Sequence, residues 1–311
     1  MKLISIVMPA YNAEPYISKA IESILNQTHT YLELLISDDG STDNTRKIID
    51  AFEDKRIRRF HNSCNMGNLK TINKLFAMTQ GDYIAIQDAD DWSDESKLEL
   101  QLKVLEKNLD IALCGTQSIK IDNNGRILKK SDFPQQHSSI VKSIPEDYLF
   151  TSASVMMRKI VYDQVGGLNE YFDRRGGADW YWLSILLEHF KMINLSQHLY
   201  FYRYNSESIT NKRPVKHDSY TVGRVIAFLF HQRKKLGSDG LMDRTGSLFK
   251  ELLKYEDKLN LAYVKDPLLL DREYSVRLIF QGKYLYGFIY VIKNFMLSPL
   301  SALKWYYSKL R

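Results

Sequence analysis

Residues 81–92 read GDYIAIQDADDW. Tyr83, Ile84, Ala85 and Ile86 form an apolar run of strand character, and Asp88, Asp90 and Asp91 follow almost at once. Three acids at the end of a buried strand repel one another, and each raises its neighbour's proton affinity. Such crowding calls for a positive partner.

The same pattern recurs upstream. LISIVM (3–8) is a β-branched run that stops at Pro9, and Ile17, Ala20, Ile21, Ile24 and Leu25 then keep the spacing of a helix face. LELLIS (32–37) predicts a second buried strand, closing on Asp38, Asp39, Gly40 and Ser41. Asp43 suits the cap of a helix through Ile48, Ile49 and Phe52. RIRRFH (56–61) predicts a third strand, Leu69 to Met78 a third helix, and the run ending at Asp88 a fourth strand. Alternating apolar strands and helices specify an α/β fold with a mostly parallel sheet wrapped by helices. Ligands in such sheets sit beyond the carboxyl ends of the strands. Pro9-Ala10-Tyr11-Asn12, Asp38-Asp39, Asn65-Met66-Gly67 and Asp88-Ala89-Asp90 all fall on that edge. Singly, each is punctuation: Asp-Gly-Ser is a turn signal, Asn-x-Gly a loop, and an acid pair a helix cap. Four on one edge exceed punctuation.

Composition is that of a folded protein. With 311 residues and 44% hydrophobic content, the chain can bury one large core or a core plus a helical appendage. Cys64 and Cys114 lack metal-ligand spacing and read as two small buried thiols of a reducing compartment. The opening MKLISIVMPAYN is too short in its apolar run for a signal peptide, and no stretch of 18 apolar residues exists to span a bilayer. Charge is unevenly spread. Residues 1–200 carry 23 Lys+Arg against 27 Asp+Glu, whereas residues 201–311 carry 20 against 10. Two regions are expected, 1–212 and a basic helical 213–311, joined near NKRPVKHD (211–218).

SIVMPAYNAEPYISKAIESILNQT, ELLISDDGSTDNT, NMGN and GDYIAIQDADDW, in this order, resemble family 2 glycosyltransferases over roughly residues 3–205. The resemblance implies a GT-A fold, a nucleotide-sugar donor (UDP-linked in the favoured reading), and a divalent cation, Mn²⁺ or Mg²⁺, on the donor's diphosphate. That cation answers the crowding of acids. Hard divalent cations take oxygen ligands, and Mg²⁺ commonly uses one or two carboxylates plus substrate phosphates. By the resemblance, Asp90 and Asp88 hold the metal, with one of them also near the ribose. Asp39 meets the base, and Tyr11, beside Pro9, Ala10 and Asn12, holds base or ribose. Asn65, Gly67, Lys70 and Ala89 approach the nucleotide.

An inverting transfer also needs a base to take the acceptor's proton. VGGLNEYFDRRGGADWYWLSILLEHF (165–190) resembles the family's glycine-containing loop and acidic pair, here reduced to Ala178-Asp179. Asp179 matches the base; the plainer alternative is an N-cap for a helix from Trp180 to Phe190. Asp173 is the second candidate. The family's Tyr-Arg-x-His becomes Tyr202-Arg203-Tyr204-Asn205, so Arg203 and Asn205 are candidate diphosphate contacts, and Arg203 equally a buried ion partner. Asp91, Trp92 and Trp180 are candidate acceptor contacts, the tryptophans equally core. IKIDNNGRILKK (119–130) predicts a hairpin turning at Asn123-Asn124-Gly125, and SASVMMRK (152–159) a strand that brings Ser152 and Ser154 near the acceptor.

The tail, about 282–311, spaces Leu285, Phe288, Ile289, Ile292 and Phe295 as on a helix, among lysines and tyrosines. A basic aromatic amphipathic helix suits a membrane interface; packing on the catalytic domain or in a homodimer is the alternative. The expected partners are the donor, a glycan or polyprenyl-linked glycan acceptor and a membrane surface. No nucleic acid is expected, since no recognised module is present. The expected location is cytoplasmic, peripheral on the membrane's cytoplasmic face. Two further classes fit parts of the pattern. A phosphate-receiving regulatory domain would be much shorter and leave Asp88 to Asp91 unemployed, and an inactive sugar-nucleotide scaffold would have no use for Asp179.

Overall fold

A computed structural model describes residues 1–144, 149–204, 218–280 and 282–309. All residues of β1 (Ile4–Ala10) and β2 (Leu32–Asp38) are buried, because helices cover both faces of their sheet. Between them α1 (Ile17–Leu25) lays Ile17, Ala20, Ile21 and Ile24 on the core. The alternation continues through α2 (Thr45–Ala51), β3 (Ile57–His61), α3 (Asn68–Phe76) and β4 (Tyr83–Ile86). Next come β5 (Trp92–Ser93), α4 (Lys97–Lys107), β6 (Ile111–Ile121), β7 (Ile127–Lys130) and α5 (His137–Ser143). Then follow β8 (Met156–Arg158), α6 (Lys159–Val165), α7 (Ala178–His189) and β9 (Lys191–Arg203).

Among the described residues the strands form one sheet in the order β3-β2-β1-β4-β8-β6-β9-β5, with β7 pairing β6. The first four strands are parallel; β8 runs antiparallel to β4 and β6. The sheet is therefore mixed, with its parallel part at β1–β4. The hairpin at Asn123 to Gly125 joins β6 to β7, with Gly125 at φ +80°.

Several local expectations change. β1 continues through Pro9 to Ala10 instead of stopping at the proline. Its ladder to β4 ends at Val7↔Ile86, and the N–H of Gln87 donates to the Val7 carbonyl. Two residues further on, Pro9 faces the same side, where no ladder remains, so its missing N–H costs nothing. In 152–159 only Met156–Arg158 is strand; Ser152–Ser154 is a 3₁₀ turn. Ser154 is fully buried there, and its carbonyl accepts from Gln101 Nε2 at 2.8 Å, which makes it a packing residue. Cys114 is buried, and burial pushes its thiol up to about 12, whereas Cys64 is exposed.

The chain divides into two compact units, residues 1–208 and 209–311. The boundary expected at 212 lies outside the described residues. The second unit holds α8 (Asp218–Leu236), α9 (Ser247–Lys265), α10 (Leu269–Phe280), α11 (Tyr284–Leu297) and α12 (Pro299–Lys309). The single amphipathic stretch expected over 282–311 is thus two helices, parted at Ser298 before Pro299, a residue suited to a first helical turn.

Candidate active site

The four polar clusters meet at the carboxyl edge of β1–β4, and direct bonds tie three of them together. The N–H of Asp39 donates to the Ala10 carbonyl at 2.7 Å, and that of Asn62 to the Asp38 carbonyl at 2.8 Å. Asp39 is buried; its Oδ1 accepts from Asn62 Nδ2 at 2.8 Å and the Met66 N–H at 3.0 Å, and its Oδ2 from the Gly67 N–H at 2.9 Å. A carboxylate has about four acceptor positions, so any nucleobase contact here uses what these three bonds leave. Asp39 therefore shapes the 62–67 loop as well as facing the edge.

Two glycines are required by this crossing. A Cβ on Gly40 (φ +71°) would lie 2.7 Å from the Cys64 carbonyl carbon. Gly67 sits at φ +93°, with Asp173 Oδ1 3.3 Å from where a Cβ would be. Asp173 also pairs with Lys70 at 3.3 Å. Arg174 Nη2 reaches the Asn65 carbonyl at 3.4 Å, so the 173–174 turn lies over the 65–70 loop. Tyr11 is exposed, and Asn12 adopts φ +47°, with its Oδ1 accepting from the Thr42 N–H at 2.9 Å. Pro9 and Ala89 are buried and offer only backbone.

After β4 the chain turns, with the Asp91 N–H donating to the Asp88 carbonyl at 3.3 Å. Asp88 and Asp90 remain half-buried at the edge, whereas Asp91 is 2% exposed. Burial first, then the charges of Asp90 and Asp179, push the Asp88 carboxyl up to about 7, against a pull from Lys97. Asp90 is also raised by burial, with Arg203 drawing it back. Asp179 thus belongs to the same electrostatic cluster as Asp88, although far from it in sequence. It stands half-buried in the first turn of α7, whose N-cap is Gly177 at φ +78°. The N-cap role expected as the alternative for Asp179 therefore falls to Gly177. Asp179 Oδ1 accepts from the Trp180 N–H at 2.9 Å, and a helix N-terminus favours negative charge.

Asp91 and Arg203 turn inward. Asp91 Oδ1 accepts from the Arg203 N–H at 2.7 Å, and burial, then Asp90 and Asp88, hold the Asp91 carboxyl well above the usual carboxylate range. Its exposure leaves no surface for an acceptor. Arg203, 8% exposed, donates from Nε to the Asp90 carbonyl at 3.0 Å and from Nη1 to the carbonyls of Asp122 and Asn123 at 3.4 Å. Its guanidinium also covers Tyr16 and Trp92, at 4.4 and 5.3 Å from the ring centroids. Arg203 is thus spent on backbone carbonyls, a clamp that fixes the backbone of the acidic turn. Trp92 is stacked on Phe201 at 5.1 Å, with Lys19 Nζ 3.2 Å from its ring centroid. Trp180 is half-buried on α7, and Asn205 lies outside the described residues.

A buried polar chain behind the acids was not read from the sequence. Lys97, fully buried, donates to Ser93 Oγ at 3.2 Å; Ser93 Oγ donates to Gln87 Oε1 at 2.6 Å; Gln87 Nε2 donates to the Asp88 carbonyl at 3.0 Å. The Asp88 N–H donates to Tyr200 Oη at 3.2 Å. Burial pulls Lys97 down to about 7, while Asp88 and Asp91 oppose the fall. The available signal was a lysine in the first turn of a helix, where a cation is unfavourable. In SDESK it looks like a solvated helix start.

Among the described residues no group of three or more His, Cys, Asp and Glu side chains is placed to hold a metal. Asp88 and Asp90 do fit a Mg²⁺ or Mn²⁺ ion whose other ligands are phosphate oxygens and water, because two crowded, half-buried carboxylates are the oxygen set such ions take.

The model of glycosyl transferase family 2 matches residues 5–165. The chain belongs to glycosyltransferase family 2. A relative in Escherichia coli, named UDP-Glc:alpha-D-GlcNAc-diphosphoundecaprenol beta-1,3-glucosyltransferase WfgD, is 34% identical over 214 residues, which is 68% of this chain and 81% of that one. Among solved structures, S. aureus TarS 1–349 in complex with UDP-GlcNAc matches with a TM-score of 0.59 at 20% identity, over 75% of this chain and 67% of that one. The mannosyltransferase PcManGT from Pyrobaculum calidifontis, in complex with GDP-Man and Mn²⁺, matches at 0.53 and 15% identity over 99% and 79%. At these identities the structural matches show the fold, GT-A, and membership of the family makes this chain a glycosyltransferase acting on a nucleotide sugar.

Proposed function

We propose that this family 2 glycosyltransferase moves a hexosyl or N-acetylhexosaminyl group, with inversion, from a UDP-sugar to a hydroxyl of a glycan or lipid-linked glycan. The observation that carries the reading is the crowding of Asp88 and Asp90 at the carboxyl edge, with Asp179 of α7 among the charges that raise the Asp88 carboxyl. One end of the site then holds the donor's diphosphate and the other presents a base.

Asp88 and Asp90 would hold a divalent cation, Mn²⁺ or Mg²⁺, which when bound supplies positive charge to the departing nucleoside diphosphate. The protein's own contribution begins with the Asp39-braced loop and the Pro9–Asn12 backbone, which shape the nucleoside end. Arg203 and Tyr200 hold the backbone of the acidic turn, so its carboxylates need little reorganisation when donor binds. Asp179 takes the proton from the acceptor hydroxyl as that oxygen attacks the anomeric carbon from the face opposite the leaving diphosphate. Asp173, paired with Lys70, is less suited to that task and instead closes the nucleotide loop.

The relative that acts on a diphosphoundecaprenol-linked sugar supports a lipid-linked acceptor and a membrane-peripheral enzyme. Asp179→Asn tests the base. Transfer should fall about 10²–10⁴-fold, while thermal stabilisation by UDP-sugar with Mn²⁺ stays as in the parent. Undiminished transfer would remove Asp179 from the chemistry, and unchanged turnover in EDTA would remove the cation.

A further inference from the structure

Helices α11 and α12 leave most of their large aliphatic side chains exposed. The positions they bury are Gly287, Asn294 and Ala302, whereas Leu285, Phe288, Ile289, Ile292, Met296 and Leu300 stand exposed, Met296 at 80% and Leu300 at 84%. A surface helix in water buries its large apolar side chains and shows its polar ones; here Phe295 and Tyr306 pack partly inside, but most large aliphatic side chains stand outside beside the lysines. Close approach and polarity hold the inward seam. A Cβ on Gly287 would lie 2.6 Å from Ile279 Cγ1, so only a glycine lets α11 sit this near α10. Ser275 Oγ and Tyr306 Oη are 2.8 Å apart, and the buried Arg272 donates to Ser301 Oγ at 3.1 Å. The outward apolar face is therefore fixed by packing, because turning it inward would drive Gly287, Asn294 and Ala302 out and break that seam.

Charge identifies what covers the face. From Tyr274 onward the chain has Arg277, Lys283, Lys293, Lys304, Lys309 and Arg311 and no acid at all. Lys293 is paired with Asp271 at 2.8 Å, so the cationic patch on this face is that of Lys304 and Lys309, exposed among the apolar residues of α12. A second copy of the chain, docked by two-fold symmetry, would set this cationic patch against itself. An anionic lipid surface would neutralise it. No described helix is long and apolar enough to cross a membrane, and the 14 residues of α11 rise only about 21 Å against a hydrocarbon core of about 30 Å.

We propose that the exposed apolar face of α11 and α12 is an interfacial anchor seated in the headgroup–acyl boundary of a bilayer containing anionic lipid, with Lys304 and Lys309 on the phosphates. This deepens the reading of a lipid-linked acceptor and rests on it for its purpose. Vesicle binding is measured with neither donor nor acceptor, so its failure leaves the transfer reading untouched, and a failed transfer assay leaves the anchor untouched.

The test is co-sedimentation of the full chain with phosphatidylcholine vesicles, with and without phosphatidylglycerol, at low and high salt. Binding should require phosphatidylglycerol and weaken as salt screens it. Phe288→Ser with Ile292→Ser replaces exposed side chains, so the melting temperature should hold while partitioning falls at least about tenfold. Lys304→Gln and Lys309→Gln should each cost about fivefold on anionic vesicles at low salt, a loss that shrinks at high salt. The proposal is overturned if anionic vesicles do not bind the chain. It is equally overturned if the apolar double variant binds as well as the parent, or if the parent is a dimer in solution that the double variant splits.

Discussion

In the first unit Ile6, Leu34 and Ile36 are fully buried and the polar residues gather at one edge of the sheet. In α11 and α12 it is Gly287, Asn294 and Ala302 that lie inside, while Phe288, Ile292 and Leu300 face out. The first arrangement is the usual sorting by water, broken most sharply where Asp88, Asp90 and Asp91 crowd a single turn in front of the buried Lys97. In the second, two helices leave large aliphatic side chains exposed beside lysines. Each exception costs free energy in the isolated chain. An acid cluster wants a cation and an oily, basic face wants an anionic lipid surface, so a departure from water's sorting indicates what each region is built to meet.

The sharpest way to break the comparison is to remove the internal cation from the first unit. Lys97→Met keeps the volume but leaves Asp88 and Asp91 without the lysine beside them, and should cost about 3 kcal/mol in urea unfolding. The stabilisation gained on adding Mn²⁺ should be larger in this variant than in the parent, because the added ion then meets an uncompensated cluster. A loss under about 1 kcal/mol would mean that Lys97 plays no electrostatic part.

A smaller effect is expected at the seam of the second unit. Gly287→Ala places a methyl group 2.6 Å from Ile279 Cγ1 and 3.1 Å from the Ser275 carbonyl oxygen, and should lower stability by about 1–2 kcal/mol. Stabilisation by UDP-sugar should be unchanged. If the variant is as stable as the parent, the seam is loose, and the outward apolar face would no longer be a packed arrangement.

The smallest effect calibrates both units against an ordinary ion pair. Asp54 pairs with Arg56 at 2.9 Å, partly exposed, and the guanidinium bonds hold its carboxyl below the usual range. Because the folded carboxyl is the stronger acid, the stabilisation is present above the ordinary carboxylate value and lost as pH falls through the lowered one. Asp54→Asn should therefore cost about 0.5 kcal/mol at neutral pH and nothing in strong acid. A larger loss would make surface charge a competitor to the buried cluster as a source of pH dependence.

Much of the first unit was legible because its cues are local. Continuous apolar runs and period-3.6 apolar patterns gave the alternation of strands and helices, and the carboxyl-edge rule gathered Tyr11, Asp39, Gly67 and Asp88. The misplacements share one cause. Arg203 and Asp91 are 112 residues apart in the chain and yet bonded, and no local pattern says that an arginine after one strand will be spent on the turn after another. Ser154 was likewise a polar residue with no local sign of burial, and the core took it in because its partners, Gln101 and Thr116, arrive from distant segments.

The alternation of strands and helices up to the fourth strand, the edge where the polar clusters gather, the crowding of acids after that strand and the basic, oily tail are written in the sequence, since each follows from side-chain chemistry and spacing along a few residues. Tertiary structure alone decided which acids stay at the edge and which are buried, that Asp179 joins Asp88, and that the tail's apolar face points outward. Those outcomes depend on which distant groups satisfy one another's hydrogen bonds and charges, and that is fixed only once the whole chain has packed.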